Sequence, residues 1–351
     1  MPGELRGDFV IIEDQSEASQ IYNRGYYGYP QRGGSLELDI MEAIYLTESD
    51  RLKVFSDGKE IGLQELVHAG VGSRQDFHTR FLVYRDLRQR GYIVKLDGGD
   101  FDFRIFPRGG TPTTSQTKAW VLAVSERSSF SIVDMLAQAE ISERTRKELL
   151  LAVVDEEGDI TYYEAERADP HGELEKEPMI EDAKGILVED SVLVIDEAEA
   201  DALIKEGFYG KKVGRFLQLS LIEAAHLQSL GRLTVRSSRS GRNIREIAFN
   251  KRARAVQPDF DMRLKAFTDL RSRGLVVKTG FKYGTHFRVY EGDPGNHHSK
   301  YLVHAVPEDY VTIWAEVSRA IRLAHGVKKE VLFGRVGEDR VQYAKLKRVR
   351  P

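Results

Sequence analysis

YRDLRQRGYIVK, residues 84–95, returns as TDLRSRGLVVK, residues 268–278, with Asp-Leu-Arg, a second arginine followed by glycine, and a closing Val-Lys in one register. Outward from this block the correspondence continues. DFRIF (Asp102–Phe106) matches HFRVY (His286–Tyr290), and the segment from Arg146 to Ala165 matches that from Lys328 to Lys345. Upstream, IYNRGYYG (Ile21–Gly28) matches IKEGFYG (Ile204–Gly210), and LELDIMEAIYL (Leu36–Leu46) matches LQLSLIEAAHL (Leu217–Leu227). Counted at the start of each block, the offset stays between 181 and 184. Separated blocks at a near-constant offset mark a tandem duplication, so the chain is two copies of one module. Between them ERADPHGELEKEPMIEDAKG, acidic, with two prolines and no apolar periodicity, reads as a linker over 166–185.

Within each copy the periodicity changes. Leu36, Leu38, Ile40, Met41, Ala43, Ile44 and Leu46 recur at helical spacing, as do Leu217, Leu219, Leu221, Ile222, Ala224 and Ala225, which predicts a helix early in each half. A second helix is expected through Phe81–Arg90 and Leu264–Arg273, stopped by Gly91 and Gly274 and followed by the β-rich YIVKL and LVVKTG. FRVY, KYLVHAV, EVLFGRV and RVQYAKL read as strands around an amphipathic helix, Ile313–His325. The expected class is α/β (α+β): in each repeat, a small α/β N-terminal domain and a mixed-sheet C-terminal domain.

At 351 residues, 41% hydrophobic and 30% charged, the chain is long enough for several cores and too apolar for disorder. The absence of cysteine excludes disulfides, thiolate metal sites and cysteine nucleophiles, and fits a reducing compartment, the cytoplasm. The charged start MPGELRGDFVIIEDQ lacks a signal-peptide core, and no run of about 18 apolar residues predicts a membrane span. A net charge of −3, from 52 basic and 55 acidic residues, gives no global attraction for a polyanion. Any such site must be a local basic patch, for which the C-terminal Lys345, Lys347, Arg348 and Arg350 are candidates.

The two copies differ most tellingly at polar positions. Tyr290 corresponds to Phe106 and His298 to Gln116, whereas Lys329 is kept as Lys147. Singly, each has a structural reading: a packed strand tyrosine, a surface-loop histidine, a solvent-facing lysine. A shared frame that differs in a titratable trio points instead to one active and one structural copy. His286, His297, His298 and His304 invite a zinc site, but no ligand set at a recognised spacing accompanies them, so neither metal nor cofactor is expected.

The stretch GFKYGTHFRVYEG, then HHSKYLVHAV, then RLAHGVKKEVLFG resembles the catalytic domain of the tRNA-splicing endonuclease family, and the duplication resembles its archaeal members with two fused repeats per chain. The resemblance implies 1–80 as the N-terminal domain of repeat 1, 81–165 as a degenerate catalytic-type domain, 186–262 as the second N-terminal domain and 263–351 as the catalytic domain. It assigns Tyr290, His298 and Lys329 as catalytic residues and Arg322 as a clamp on a flipped-out bulge base, with Lys345 and Lys347 as further RNA-binding candidates. The implied substrate is intron-containing precursor tRNA, cut without metal at a bulge-helix-bulge motif by a homodimer. Family members dock an acidic loop into a neighbouring catalytic domain, a role that falls here on Asp155, Glu156, Glu157 and Asp159.

That chemistry suits the trio. RNA carries its own nucleophile, the 2′-hydroxyl, so the protein need only move protons and stabilise charge. A histidine, ordinarily half-protonated near pH 6.5, can serve as acid, a lysine as cation, and a tyrosine as base if a nearby cation assists it. Two rivals stand beside this reading. One is a non-catalytic structured-RNA-binding or scaffolding subunit. The other is a metal-dependent DNA nuclease, for which Glu291, Asp293, Glu308 and Asp309 lack a convincing spacing.

Overall fold

The computed structural model describes residues 1–174 and 182–351; residues 175–181 of the expected linker lie outside them. The duplication is visible as a repeated architecture. Each repeat begins with a small sheet carrying helices, six-stranded in the first and five-stranded in the second. Each then contributes five strands to one ten-stranded sheet. In the second repeat these are Val276–Thr279, Phe287–Tyr290, Tyr301–Pro307, Glu330–Val336 and Val341–Val349, in that spatial order. The first repeat mirrors it with Val94–Leu96, Phe103–Ile105, Ala119–Ser125, Glu148–Val154 and Ile160–Ala168. Third and fourth strands run parallel and the other neighbours antiparallel, giving the expected mixed sheet.

The halves meet through their fifth strands, which pair antiparallel from Tyr162 opposite Val349 to Ala168 opposite Tyr343. Leu149, Leu151 and Val153 face a core shared by both halves, while Leu150, Ala152 and Val154 face the core of repeat 1. Burial on both faces explains why this strand is almost continuously apolar rather than alternating. Over the shared core lie the helices Ile132–Arg144 and Trp314–Gly326. Phe130 of one half packs edge-on against Trp314 of the other at 5.1 Å. Among the described residues no helix is long and apolar enough to cross a membrane.

The early helices start later than their leucine spacing suggests. Leu36–Asp39 and Phe216–Ser220 are strands, and the helices run Ile40–Glu48 and Leu221–Ser229. Leu36 and Leu38 fit period two as well as the helical pattern, and the caps decide between them. Asp39 accepts from Met41 N at 2.8 Å while Glu42 accepts from Asp39 N, and Ser220 and Glu223 form the same reciprocal box. The second oxygens of these buried glutamates bind Gly28 N and Gly210 N, both at 2.9 Å. Lys95 and Lys278 donate to the carbonyls of the same two glycines. Each repeat thus ties its N-terminal helix to the first strand of the large sheet through one polar clamp. Burial raises Glu42 to about 6 and lowers Lys95 to about 8.

The helices Phe77–Gln89 and Phe260–Ser272 end in Schellman motifs. Gly91 N donates to Arg88 O and Tyr92 N to Leu87 O, with Gly274 and Leu275 repeating the pattern. Both glycines have positive φ, 88° and 77°. Around Gly91 there is open space, whereas a Cβ on Gly274 would meet Leu174 O at 2.5 Å. Gly91→Ala should therefore cost about 1 kcal/mol, the ordinary left-handed penalty, and Gly274→Ala visibly more. Equal shifts of the two denaturant midpoints would show that the backbone contact at Gly274 carries no weight.

Candidate active site

The trio lies at or beside the same end of three adjacent strands of the large sheet. Lys300 N donates to Val289 O at 2.9 Å, and Glu330 N donates to Lys300 O at 3.0 Å. Tyr290 is one residue beyond Val289, His298 two before Lys300, and Lys329 one before Glu330. The ladder thereby aligns the ends of three strands that are far apart in sequence. Tyr290 closes its strand opposite Val276 and is largely buried, with the Arg288 guanidinium 5.8 Å from its ring centre.

His298 is exposed, carried by a turn that Asp293 organises. The Asp293 carboxylate accepts from Gly295 N at 2.7 Å and Asn296 Nδ2 at 2.8 Å, and its carbonyl accepts from His297 N at 2.9 Å. Ser299, next to His298, is buried, and its carbonyl accepts from Lys329 Nζ at 2.8 Å. An ammonium has three donors, so this bond leaves two for a ligand. The Lys329 Nζ also lies 5.9 Å from the centre of the Tyr283 ring.

Lys329 is aimed by the end of the helix Trp314–Gly326. Lys328 takes a left-handed φ of 56° while Lys329 N donates to Ala324 O. This is the Schellman turn without glycine, a strained position for a lysine. Repeat 1 retains it: Arg146 has φ of 55°, and Lys147 N donates to Ser142 O. It also retains the ladder, through Lys118 N to Ile105 O and Glu148 N to Lys118 O. There Phe106 is buried, and Lys147 Nζ spends a donor on Gln116 Oε1 at 3.2 Å. The scaffold is common to both copies; the two side chains differ.

The remaining candidates lie apart in character. Arg322 is exposed on its helix and makes no ion pair among the described residues. Lys345 is half-buried and pairs with Glu166 of the other repeat, with Glu330 Oε2 at 3.8 Å. Burial works against its charge, but the Glu166 hydrogen bond and the two carboxylates hold it above the ordinary lysine range. Lys347, two residues on, is exposed. Asp155, Glu156, Glu157 and Asp159 are exposed in the hairpin between Glu148–Val154 and Ile160–Ala168. Asp155 Oδ1 there accepts from Glu157 N and Asp159 N, and Glu156 pairs with Arg127.

Of the clustered histidines, His286 accepts from Ala305 N at 3.0 Å through Nδ1, and His304 stacks on Phe333 at 5.3 Å. Burial lowers both, His304 to about 4. Among the described residues no three His, Cys, Asp or Glu side chains gather in a metal-holding group. Sequence reasoning missed the site's supporting contacts: Tyr283 beside Lys329, the Ser299 carbonyl, and Glu291, which accepts from Lys300 Nζ at 2.6 Å. Tyr283 lies in the GFKYG segment that opens the stretch on which the resemblance rests.

The fold defines a duplicated α/β chain whose second repeat alone carries the Tyr290, His298 and Lys329 set. The family model described as the tRNA intron endonuclease catalytic C-terminal domain matches residues 77–162 and again 260–343. That of its N-terminal domain matches 1–67 and 183–248. The chain belongs to the tRNA intron endonuclease family, a family of RNA-cleaving enzymes. It is similar over the full length of both chains to the tRNA-splicing endonucleases of Methanococcoides burtonii, at 38% identity, and Natronomonas pharaonis, at 36%. To that of Methanosarcina mazei it is 38% identical over 99% of this chain and 98% of the other.

The Lys329–Ser299 bond should hold the histidine turn in place. Lys329→Met is expected to speed amide exchange across residues 297–300 while the strands Tyr301–Pro307 and Glu330–Val336 stay protected; unchanged exchange would limit Lys329 to direct contact with a ligand.

Proposed function

We propose that the chain excises introns from precursor tRNA by metal-independent cleavage at both boundaries of a bulge-helix-bulge motif, in the cytoplasm. The observation that carries this reading is the ladder Val289–Lys300–Glu330, which sets Tyr290, His298 and Lys329 at or beside the same end of three adjacent strands. Tyr290 takes the proton of the 2′-hydroxyl as that oxygen attacks the adjacent phosphorus. The bond from phosphorus to the 5′-oxygen breaks, and His298 protonates the departing oxygen. The products are a 2′,3′-cyclic phosphate and a 5′-hydroxyl. The two free donors of Lys329 meet the charge that gathers on the phosphate oxygens. Specificity follows from RNA shape, because bulges present splayed bases that a continuous duplex hides, and exposed Arg322 is suited to stack on one.

A bulged RNA incubated in EDTA, with end-group analysis of the fragments, tests the whole scheme. Wild-type protein should yield cyclic-phosphate and 5′-hydroxyl ends. Tyr290→Phe, the state that Phe106 occupies in repeat 1, should lose at least about a thousandfold in rate while binding RNA unchanged. Cutting at full rate by that variant removes Tyr290 from the chemistry, and a strict need for divalent metal removes the mechanism. RNA bound but never cut would favour the scaffolding alternative.

One complete site per chain and two cuts per intron call for a homodimer whose two-fold axis relates the sites. The hairpin at Asp155–Asp159 is the proposed contact: with Asp155 and Glu156 held within their own chain, Glu157 and Asp159 are the carboxylates presented to a partner's basic groove. Glu157→Lys with Asp159→Lys should shift sedimentation toward monomer, more strongly at low salt where screening is weakest. An intact dimer at every salt concentration would sink this assignment.

A further inference from the structure

The segment RLTVRSSRSGRNIREIAFNKRARAV, residues 232–256, carries eight arginines and lysines against one glutamate. Its counterpart in repeat 1, residues 51–73, carries three bases and three acids. Both segments build the same elements: a strand parallel to the first strand of the small sheet, a reversal, and an eleven-residue helix, Glu246–Val256 or Leu63–Ser73. The fold therefore does not require the charge. Buried Phe249 and Ala253 anchor the helix in repeat 2, and Ser237, bonded to Gly241 N and Arg242 O, closes the reversal.

Arg236, Arg239, Arg242, Arg245, Lys251 and Arg252 are all exposed, and none makes an ion pair among the described residues. Elsewhere surface bases are commonly matched; Arg254, at the end of this helix, meets Asp261 at 2.7 Å, and Lys53 in repeat 1 meets Glu60 at 3.1 Å. Six unmatched charges of one sign repel one another and focus a field that suits a polyanion. Four loop carboxylates of a partner chain, two of them already engaged, would leave most of these charges unanswered. A phosphate backbone would not.

The position is also informative. This basic helix leads directly into Phe260–Ser272, whose start lies by the far end of the large sheet, with Asp259 beside His286 at 3.7 Å. Its other end, at Gly274, reaches the strand whose Val276 lies opposite Tyr290. Thirteen helical residues span about 20 Å.

We propose that this face of the second N-terminal domain is a separate RNA-backbone site, gripping phosphates of the precursor about 20 Å from the cut rather than the bulges themselves. The proposal rests on the reading of the chain as a precursor-tRNA endonuclease. Its test is binding by the full chain carrying Tyr290→Phe, so that RNA stays intact, with Arg239→Gln, Arg242→Gln, Lys251→Gln and Arg252→Gln added. Intact intron-containing precursor should bind roughly 10- to 100-fold more weakly near 0.1 M salt, with a salt slope smaller by about three to four. An excised bulge-helix-bulge duplex should lose less than about threefold, and Lys53→Gln with Lys59→Gln should affect neither RNA. Unchanged precursor affinity and slope would overturn the proposal, equal losses on both RNAs would overturn its location, and dissociation of the dimer without loss of RNA affinity would make the face a protein contact. Failure of wild-type protein to cut either RNA would count against the endonuclease mechanism alone, leaving the binding comparison valid.

Discussion

The antiparallel ladder between Ile160–Ala168 and Val341–Val349 is the constraint on which the rest of the molecule depends. Each five-stranded half would otherwise expose an open edge with unpaired backbone groups, a liability in any sheet. Joining the edges satisfies both and brings the two amphipathic helices over one core, where Phe130, Trp314 and Phe333 cross the boundary. Fully burying side chains of this size stabilises by about 1.5–3 kcal/mol each, so the junction is a substantial core. Repeat 1 is accordingly half of the structure that supports the site in repeat 2, which gives a physical reason for a copy with Phe106 and Gln116 to persist.

The site inherits its geometry from that scaffold. In both repeats a strained left-handed residue, Lys328 or Arg146, turns the chain so that a lysine enters the start of the fourth strand. In both, the third strand is read by the second and the fourth through one residue, Lys300 or Lys118. What separates the copies is occupancy: one lysine holds the Ser299 carbonyl beside an exposed histidine, the other a glutamine side chain. Chemistry is thus proposed to live in two side-chain differences on a duplicated frame.

Charge is divided between the repeats as unevenly as the polar trio is. A net charge of −3 conceals a segment of repeat 2 with seven more bases than acids, while repeat 1 presents the acidic hairpin. Lys345, one of the bases that crowd the C-terminus, is consumed by Glu166 across the junction. Sequence proximity among cations is therefore a poor guide to which of them face solvent, and the partners on neighbouring strands decide.

The sequence alone determined the duplication, the α/β class and the polar contrast between Tyr290, His298 and their counterparts, because repetition and residue type are properties of the string. It also marked the stops at Gly91 and Gly274, since only a residue without Cβ takes a left-handed φ at low cost. It misplaced the starts of the early helices, where Leu36 and Leu38 satisfy two periods and a side-chain cap settles the boundary. Tertiary structure decided the rest: that the two halves share one sheet, that three distant segments end side by side on adjacent strands, and that Lys345 is paired while among the described residues Arg239 and Lys251 make no ion pair. Those are outcomes of hydrogen bonds and ion pairs between strands and helices remote in sequence, which no local spacing encodes.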